Sequence, residues 1–228
     1  MNETQLLILT KLATSKGLRY SEIKPEGVEN DLFNYHLQYL VKRGWVEKQD
    51  DKYAITQDGK RYAANMDARG VIQNLFKASV ALYIFAGDKI LLQRRTRHPF
   101  FGDVTSIAGK IHLGERAEDA AARKLAEEAG LTANFRLYGV HRKTRRDSNN
   151  EVIEDTIYHI CGTHKILSGE LVSKNEFGEN FWDTIGNAKK YAKTNLDYSL
   201  SDSKILDWVY QKTSKIFYIH DDFKIQNY

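Results

Sequence analysis

Hydrophobic positions first recur at helical spacing along the chain and then, from Ala78, alternate as strands do. Leu6, Leu7, Leu9 and Leu12 predict a short amphipathic helix from Glu3 to Ala13. "RYSEIKPEG" predicts a very short helix closed by Pro25 and Gly27. Leu32, Phe33, Leu37, Leu40 and Val41 predict a longer helix that stops at Gly44. "WVEKQDDKYAIT" predicts two short strands turning at Asp50-Asp51, and Thr56 is placed to cap another helix.

"NMDARGVIQNLFK" reads as a link, after which the pattern changes. "SVALYIFAGDKILLQRR" predicts two strands joined by a Gly-Asp turn, and "DVTSIAGKI" a third strand with a glycine exit. "ERAEDAAARKLAEEAGL" is strongly helical and ends at Gly130. "TANFRLYGVHRKTRR" and "VIEDTIYHICGTHKI" predict two long strands around the polar loop "DSNNE". Two helices are expected in "NFWDTIGNAKKYAK" and "SDSKILDWVYQK", and 216–228 reads as a C-terminal tail.

Composition narrows the class. The chain has 228 residues, 42% of them hydrophobic, enough for packed cores. Its single cysteine, Cys161, excludes an internal disulfide or a cysteine-rich zinc site and points to a reducing cytoplasmic setting. The apolar runs are too short to span a bilayer, so no membrane partner is expected. The opening "MNETQLLILTKLATSKG" lacks a basic n-region and a small-residue cleavage site, so no signal peptide is expected. Charge is uneven. Residues 1–68 hold ten Lys+Arg and ten Asp+Glu, so the rest holds 24 against 20 and carries the whole net +4. A basic second part suits an anionic ligand.

The chemistry concentrates in "GKIHLGERAEDAAARKLAEEAGL". Lys124, Glu127 and Glu128 are three and four residues apart, so they share one helix face. Two close carboxylates raise each other's pKa unless a cation is present, and a hard divalent ion with oxygen ligands would relieve them. The span resembles the Nudix box. Gly109, Glu115, Arg123, Leu125, Glu127, Glu128, Gly130 and Leu131 fall on its defined positions, and Lys124 stands where the family has a glutamate. The resemblance covers about residues 75–215 and implies a Nudix α/β/α sandwich. It also implies hydrolysis of a nucleoside diphosphate derivative with Mg²⁺ or Mn²⁺. Glu127 and Glu128 would hold the metal, with Ala108 as carbonyl donor, and Glu115 and Arg123 would complete the catalytic set. An ammonium at position 124 can pair with either glutamate and compete with the metal.

Beyond the box, Glu176 is a candidate base and Glu179 its alternative. Glu154 and Asp155 lie on a strand that points only one of them inward. Basic residues cluster at Arg94, Arg95 and Arg97, at Lys110, and at Arg142, Lys143, Arg145 and Arg146. Of these, Arg94, Arg95, Lys110 and Arg142 are the expected substrate contacts. His98, His141, His159 and His164 have no ligand spacing and read as ordinary strand or loop residues.

The order helix, short helix, longer helix, hairpin in residues 1–68 resembles winged helix-turn-helix regulators, which makes the expected class α+β. Asn34, Tyr35, His36, Gln38 and Lys42 would then face DNA, although lysine and arginine are sparse there. Two functions follow from the resemblances: a Nudix hydrolase with an accessory winged helix, or a nucleotide-sensing transcriptional regulator with a weakened Nudix domain. A homodimer is an expectation of both families.

Overall fold

The computed structural model describes residues 2–64 and 75–225 and divides the chain into two compact units, Met1–Asn74 and Leu75–Tyr228. Most of the expected link lies outside the described residues. No helix among them is long and apolar enough to cross a membrane.

The first unit runs α1 (Glu3–Ala13), β1 (Leu18–Arg19), α2 (Tyr20–Ile23), α3 (Asn30–Lys42), β2 (Val46–Gln49), β3 (Lys52–Ile55) and α4 (Gln57–Ala63). The three strands form an antiparallel sheet in the order β1-β3-β2. Asp50, at φ 54, makes the hairpin turn. The Thr56 side chain accepts from Gly59 N at 3.1 Å and so starts α4. Ile8, Leu9, Leu12, Phe33, Leu37 and Leu40 pack α1 on α3. The buried face of α1 includes Ile8 rather than Leu7, which is 40% exposed. The expected groove-facing set also changes. Asn34, Tyr35, Gln38 and Lys42 are exposed, but His36 is buried and bonded to Asn2 and Gln5. Helical geometry explains this correction, because His36 is three residues after Phe33 and four before Leu40, on the core side.

The second unit continues with β4 (Lys77–Ala86), β5 (Lys89–Arg95), β6 (Val104–Thr105), β7 (Ile107–Lys110), α5 (Ala117–Ala129), β8 (Leu131–Thr132) and β9 (Arg136–Arg146). It ends with β10 (Val152–Thr163), β11 (Ser168–Gly169), β12 (Gly178–Thr184), α6 (Ile185–Thr194), α7 (Asp202–Tyr210) and β13 (Phe217–Lys224). The main sheet has the order β12-β5-β4-β10-β9-β13, with β7 beside β4 and β6 beside β5. Alternation along β4 divides the core. Val80, Leu82 and Ile84 pack under Ala120, Ala121 and Leu125 of α5. Ala81, Tyr83 and Phe85 pack under Ala188 of α6 and Ile205, Leu206 and Val209 of α7.

Two features set the site. The β9–β10 register shifts between Ile160 and Cys161, where Tyr138 is an extra residue on β9. The bulge puts His141 and Lys143 on the same face as Tyr138, toward α7. The second feature corrects the expected tail. Residues 217–224 form β13, parallel to β9. A Cβ at Gly139 would lie 2.5 Å from Phe217 O, so this close approach needs glycine.

Candidate functional site

Helix α5 buries Ala120, Ala121, Leu125 and Ala129 and turns Arg123, Lys124 and Glu127 away from the core. It ends at Gly130 in the left-handed region, φ 69, where a Cβ would lie 2.8 Å from Glu170 O. Arg123 staples the box loop to the helix. Its Nε and Nη2 donate to Glu115 Oε1 and Oε2 at 2.7 and 2.8 Å, Nη2 also to Lys110 O at 3.1 Å, and Nη1 to Glu127 Oε1 at 3.2 Å. These bonds, with a further one from His112 N, lower the Glu115 carboxyl to about 2.

Lys124 lies along the same acidic face. Its Nζ donates to Glu127 Oε2 at 3.1 Å, pairs with Glu128 Oε1, and sits 4.8 Å from the centre of the Phe177 ring. Its stem crosses Gly109 so closely that a Cβ there would lie 2.5 Å from Lys124 Cε. Lys124, followed by Arg123, holds the Glu127 carboxyl below the usual range. Glu128 is buried, and its Oε2 accepts from Gln93 Nε2 at 3.0 Å. Gln93 is fixed in turn by Asn180, which also donates to Glu128 O.

Each box carboxylate therefore already has a cationic partner from the chain itself. Among the described residues, no three His, Cys, Asp or Glu side chains gather as a metal ligand set. The donors as arranged do not fit Mg²⁺ or Mn²⁺ at Glu127, Glu128 and Ala108. The ammonium of Lys124 lies between the two glutamates, where the expected divalent ion would sit.

On the opposite face of the sheet lies a cavity of about 340 Å³, reached by the box loop through Ala108, Gly109 and Lys110. Ile90, Leu92, Ile160 and Leu206 supply apolar wall, and Phe100 and Tyr158 supply aromatic rings. Behind them Arg145 is fully buried, with Nε and Nη2 on the Asp197 carboxylate at 2.6 and 2.8 Å and Nη1 on Glu154 Oε1 at 3.1 Å. Lys143 donates to Asp202 Oδ2 at 3.0 Å and to Asp197 O at 2.9 Å. Burial opposes charge on both Lys143 and Asp197. The pairing outweighs it, raising the pKa of Lys143 and lowering that of Asp197. Asp103, on the loop before β6, accepts from Leu196 N and Asp197 N and so fixes the Asp197 segment over the sheet.

Arg95 and Lys110 line this cavity. Arg94 is exposed and reaches Gly102 O at 3.5 Å. Arg142 forms a two-bond pair with Asp155 on the other face of the strand, and its neighbour Lys143 lines the cavity instead. Alternation of side chains along β9 is the reason. Glu176 is bonded to Arg97 and Glu179 to Lys174, both at the surface. His141, Asp197 and Asp202 join the site without any signal in local spacing.

The fold and the box define the class: the chain belongs to the NUDIX family, whose domain model matches residues 75–208. Residues 1–66 match a domain of unknown function, DUF7347. Among relatives, an ADP-ribose pyrophosphatase of Methanocaldococcus jannaschii is 28% identical over 149 residues, covering 61% of this chain and 83% of that protein. The MutT protein of Bacillus halodurans superposes with a TM-score of 0.53 at 16% identity, covering 65% of this chain and 91% of that one. The NUDIX domain of Shewanella oneidensis NrtR, solved with ADP ribose, superposes with a TM-score of 0.50 at 16% identity, covering 70% and 100%.

Proposed function

We propose that the chain is a nucleotide-sensing regulator. Its second unit binds a nucleoside diphosphate sugar of the ADP-ribose kind, and its first unit is a winged helix-turn-helix that binds DNA. The observation that carries this reading is Lys124 Nζ set between Glu127 and Glu128. An ammonium there neutralises the carboxylates that a hydrolase keeps for a divalent ion, so ligand is held with little turnover. Lys110 and Arg95 line the cavity as cations, which supports a diphosphate there. The ADP-ribose assignment draws on the Methanocaldococcus relative and on the ligand of the Shewanella domain. In the first unit, Asn34, Tyr35, Gln38 and Lys42 offer an exposed helix face next to a hairpin.

A metal-dependent hydrolase is the second reading. It is favoured by the intact Glu115–Arg123–Glu127 staple and by the pyrophosphatase relative. A panel of ADP-ribose, NADH, nucleoside triphosphates and dinucleoside polyphosphates with Mg²⁺ or Mn²⁺ separates the two. The regulator reading expects ADP-ribose binding with turnover at background. Turnover that Glu128→Gln abolishes would establish the hydrolase instead. For the first unit, fluorescence anisotropy should show salt-dependent DNA binding weakened by Lys42→Ala, and no binding at low salt would remove DNA from the proposal.

A further inference from the structure

One row of side chains crosses the cavity floor. Lys110 on β7 pairs with Ser79 on β4, Ser79 with Tyr158 on β10, and Tyr158 with His141 on β9. All four line the cavity. Three strand spacings separate the ends of the row, about 14 Å. The β7 end is cationic and borders the box loop. The β9 end holds three polar atoms whose hydrogen-bonding capacity the described residues leave unfilled.

The first is the Tyr83 hydroxyl. The residue is 9% exposed and lines the cavity, and no described group bonds to its oxygen. The second is Asp202 Oδ1. Lys143 and Ser199 N both bind Oδ2, and His141 Nδ1 lies 3.8 Å from Oδ1, beyond hydrogen-bond reach. The third is that same His141 Nδ1. Nε2 donates to Asp221 Oδ2 at 2.9 Å, so the proton sits on Nε2 and Nδ1 is an acceptor. Burial, with Lys143 nearby, lowers the His141 pKa and keeps the ring neutral.

We propose that this β9 end is a subsite for the hydroxyl groups of a sugar, with Asp202 Oδ1 and His141 Nδ1 accepting two hydroxyl protons and Tyr83 donating to a sugar oxygen. The proposal rests on the nucleotide-sugar reading of the cavity. His141 Nδ1 and Asp202 Oδ1 lie 3.8 Å apart and the Asp202 charge acts on the Tyr83 hydroxyl, so the two acceptors and one donor match a vicinal diol. A phosphate fits poorly there, because the neighbouring cations Lys143 and Arg145 are already paired with Asp202 and Asp197. The ligand thus lies across the sheet, with its diphosphate at Lys110 and a ribose-type ring at Tyr83. That ring is either the nucleoside ribose or a second sugar, and the two differ in which probe feels the loss.

The test is calorimetry with ADP-ribose, ADP and 2′,3′-dideoxy-ADP on wild type and Tyr83→Phe. This substitution keeps the ring volume and removes no protein hydrogen bond, so thermal unfolding should match wild type. ADP-ribose affinity is expected to fall about tenfold. An equal fall for ADP assigns the nucleoside ribose, and unchanged ADP binding assigns the second sugar. In either case dideoxy-ADP should bind both proteins alike. Unchanged ADP-ribose binding in both Tyr83→Phe and Asp202→Asn overturns the subsite, as does a fall that persists with dideoxy-ADP. If wild type binds none of the three probes, the nucleotide-sugar reading itself fails.

Discussion

Two clusters of opposed charge lie on opposite faces of one sheet, and they are built differently. At the box, Arg123 and Lys124 meet Glu115, Glu127 and Glu128 along a helix face, and Glu127 keeps 42% of its side chain in solvent. In the cavity wall, Arg145 and Lys143 meet Asp197, Glu154 and Asp202 with the guanidinium fully buried. Of the first kind, the Arg123 and Lys124 pairs with half-exposed Glu127 contribute up to about 1 kcal/mol each, whereas the Lys124–Glu128 pair is itself buried. Members of the second kind cannot be removed singly without stranding a buried charge. The comparison teaches that the box cluster is adjustable chemistry, whereas the cavity cluster is scaffold whose unfilled atoms face the ligand.

The largest effect should therefore come from the scaffold. Arg145→Ala leaves Asp197 and Glu154 buried without their guanidinium and is expected to destabilise the chain by about 3–5 kcal/mol in urea unfolding. A loss under about 1 kcal/mol would place this cluster in the same class as the box and break the contrast.

The box should respond in function more than in stability. Lys124→Glu replaces the internal cation with a third carboxylate beside Glu127 and Glu128. Mg²⁺ or Mn²⁺ affinity in calorimetry should rise at least about tenfold, a change of about 1.4 kcal/mol. ADP-ribose turnover should rise with it. Unchanged metal affinity would show that Lys124 is not what keeps a divalent ion out.

The same contrast explains what could be read from sequence. The box is a contiguous stretch in which glycines, acids and arginine hold fixed spacing, so its helix and the shared face of Lys124, Glu127 and Glu128 were legible. The split of "DVTSIAGKI" into β6 and β7 was not, although Gly109 at its exit was. The cavity cluster joins residues 83, 141, 143, 145, 154, 197 and 202, which only the tertiary fold assembles. The basic stretch on β9 left its facing open, because strand phase depends on the bulge at Tyr138. Arg142 was chosen where Lys143 faces inward for that reason. His36 is a different case: its spacing from Phe33 and Leu40 already placed it in the core. β13 escaped notice because "FYIHDDFK" carries charge and histidine on a strand that has a partner on one side only.

The smallest expected effect tests the solvent-facing arm of the box. The Glu115 carboxyl is lowered from 4.5 to about 2 by Arg123 and the His112 amide. A group lowered by folding stabilises fully above its unfolded value and loses that contribution as pH falls through its folded one. Glu115 therefore adds stability above pH 4.5 that disappears on acidification toward about 2. Carbon-detected NMR should find its midpoint near the lower value in wild type and near the upper value in Arg123→Ala. Asp197 is lowered too, but against burial, by the buried Lys143 and Arg145. Its titration should therefore track global acid unfolding, while Glu115 titrates in the folded chain. A single shared midpoint for the two carboxyls would erase the distinction between an adjustable surface cluster and a fixed buried one.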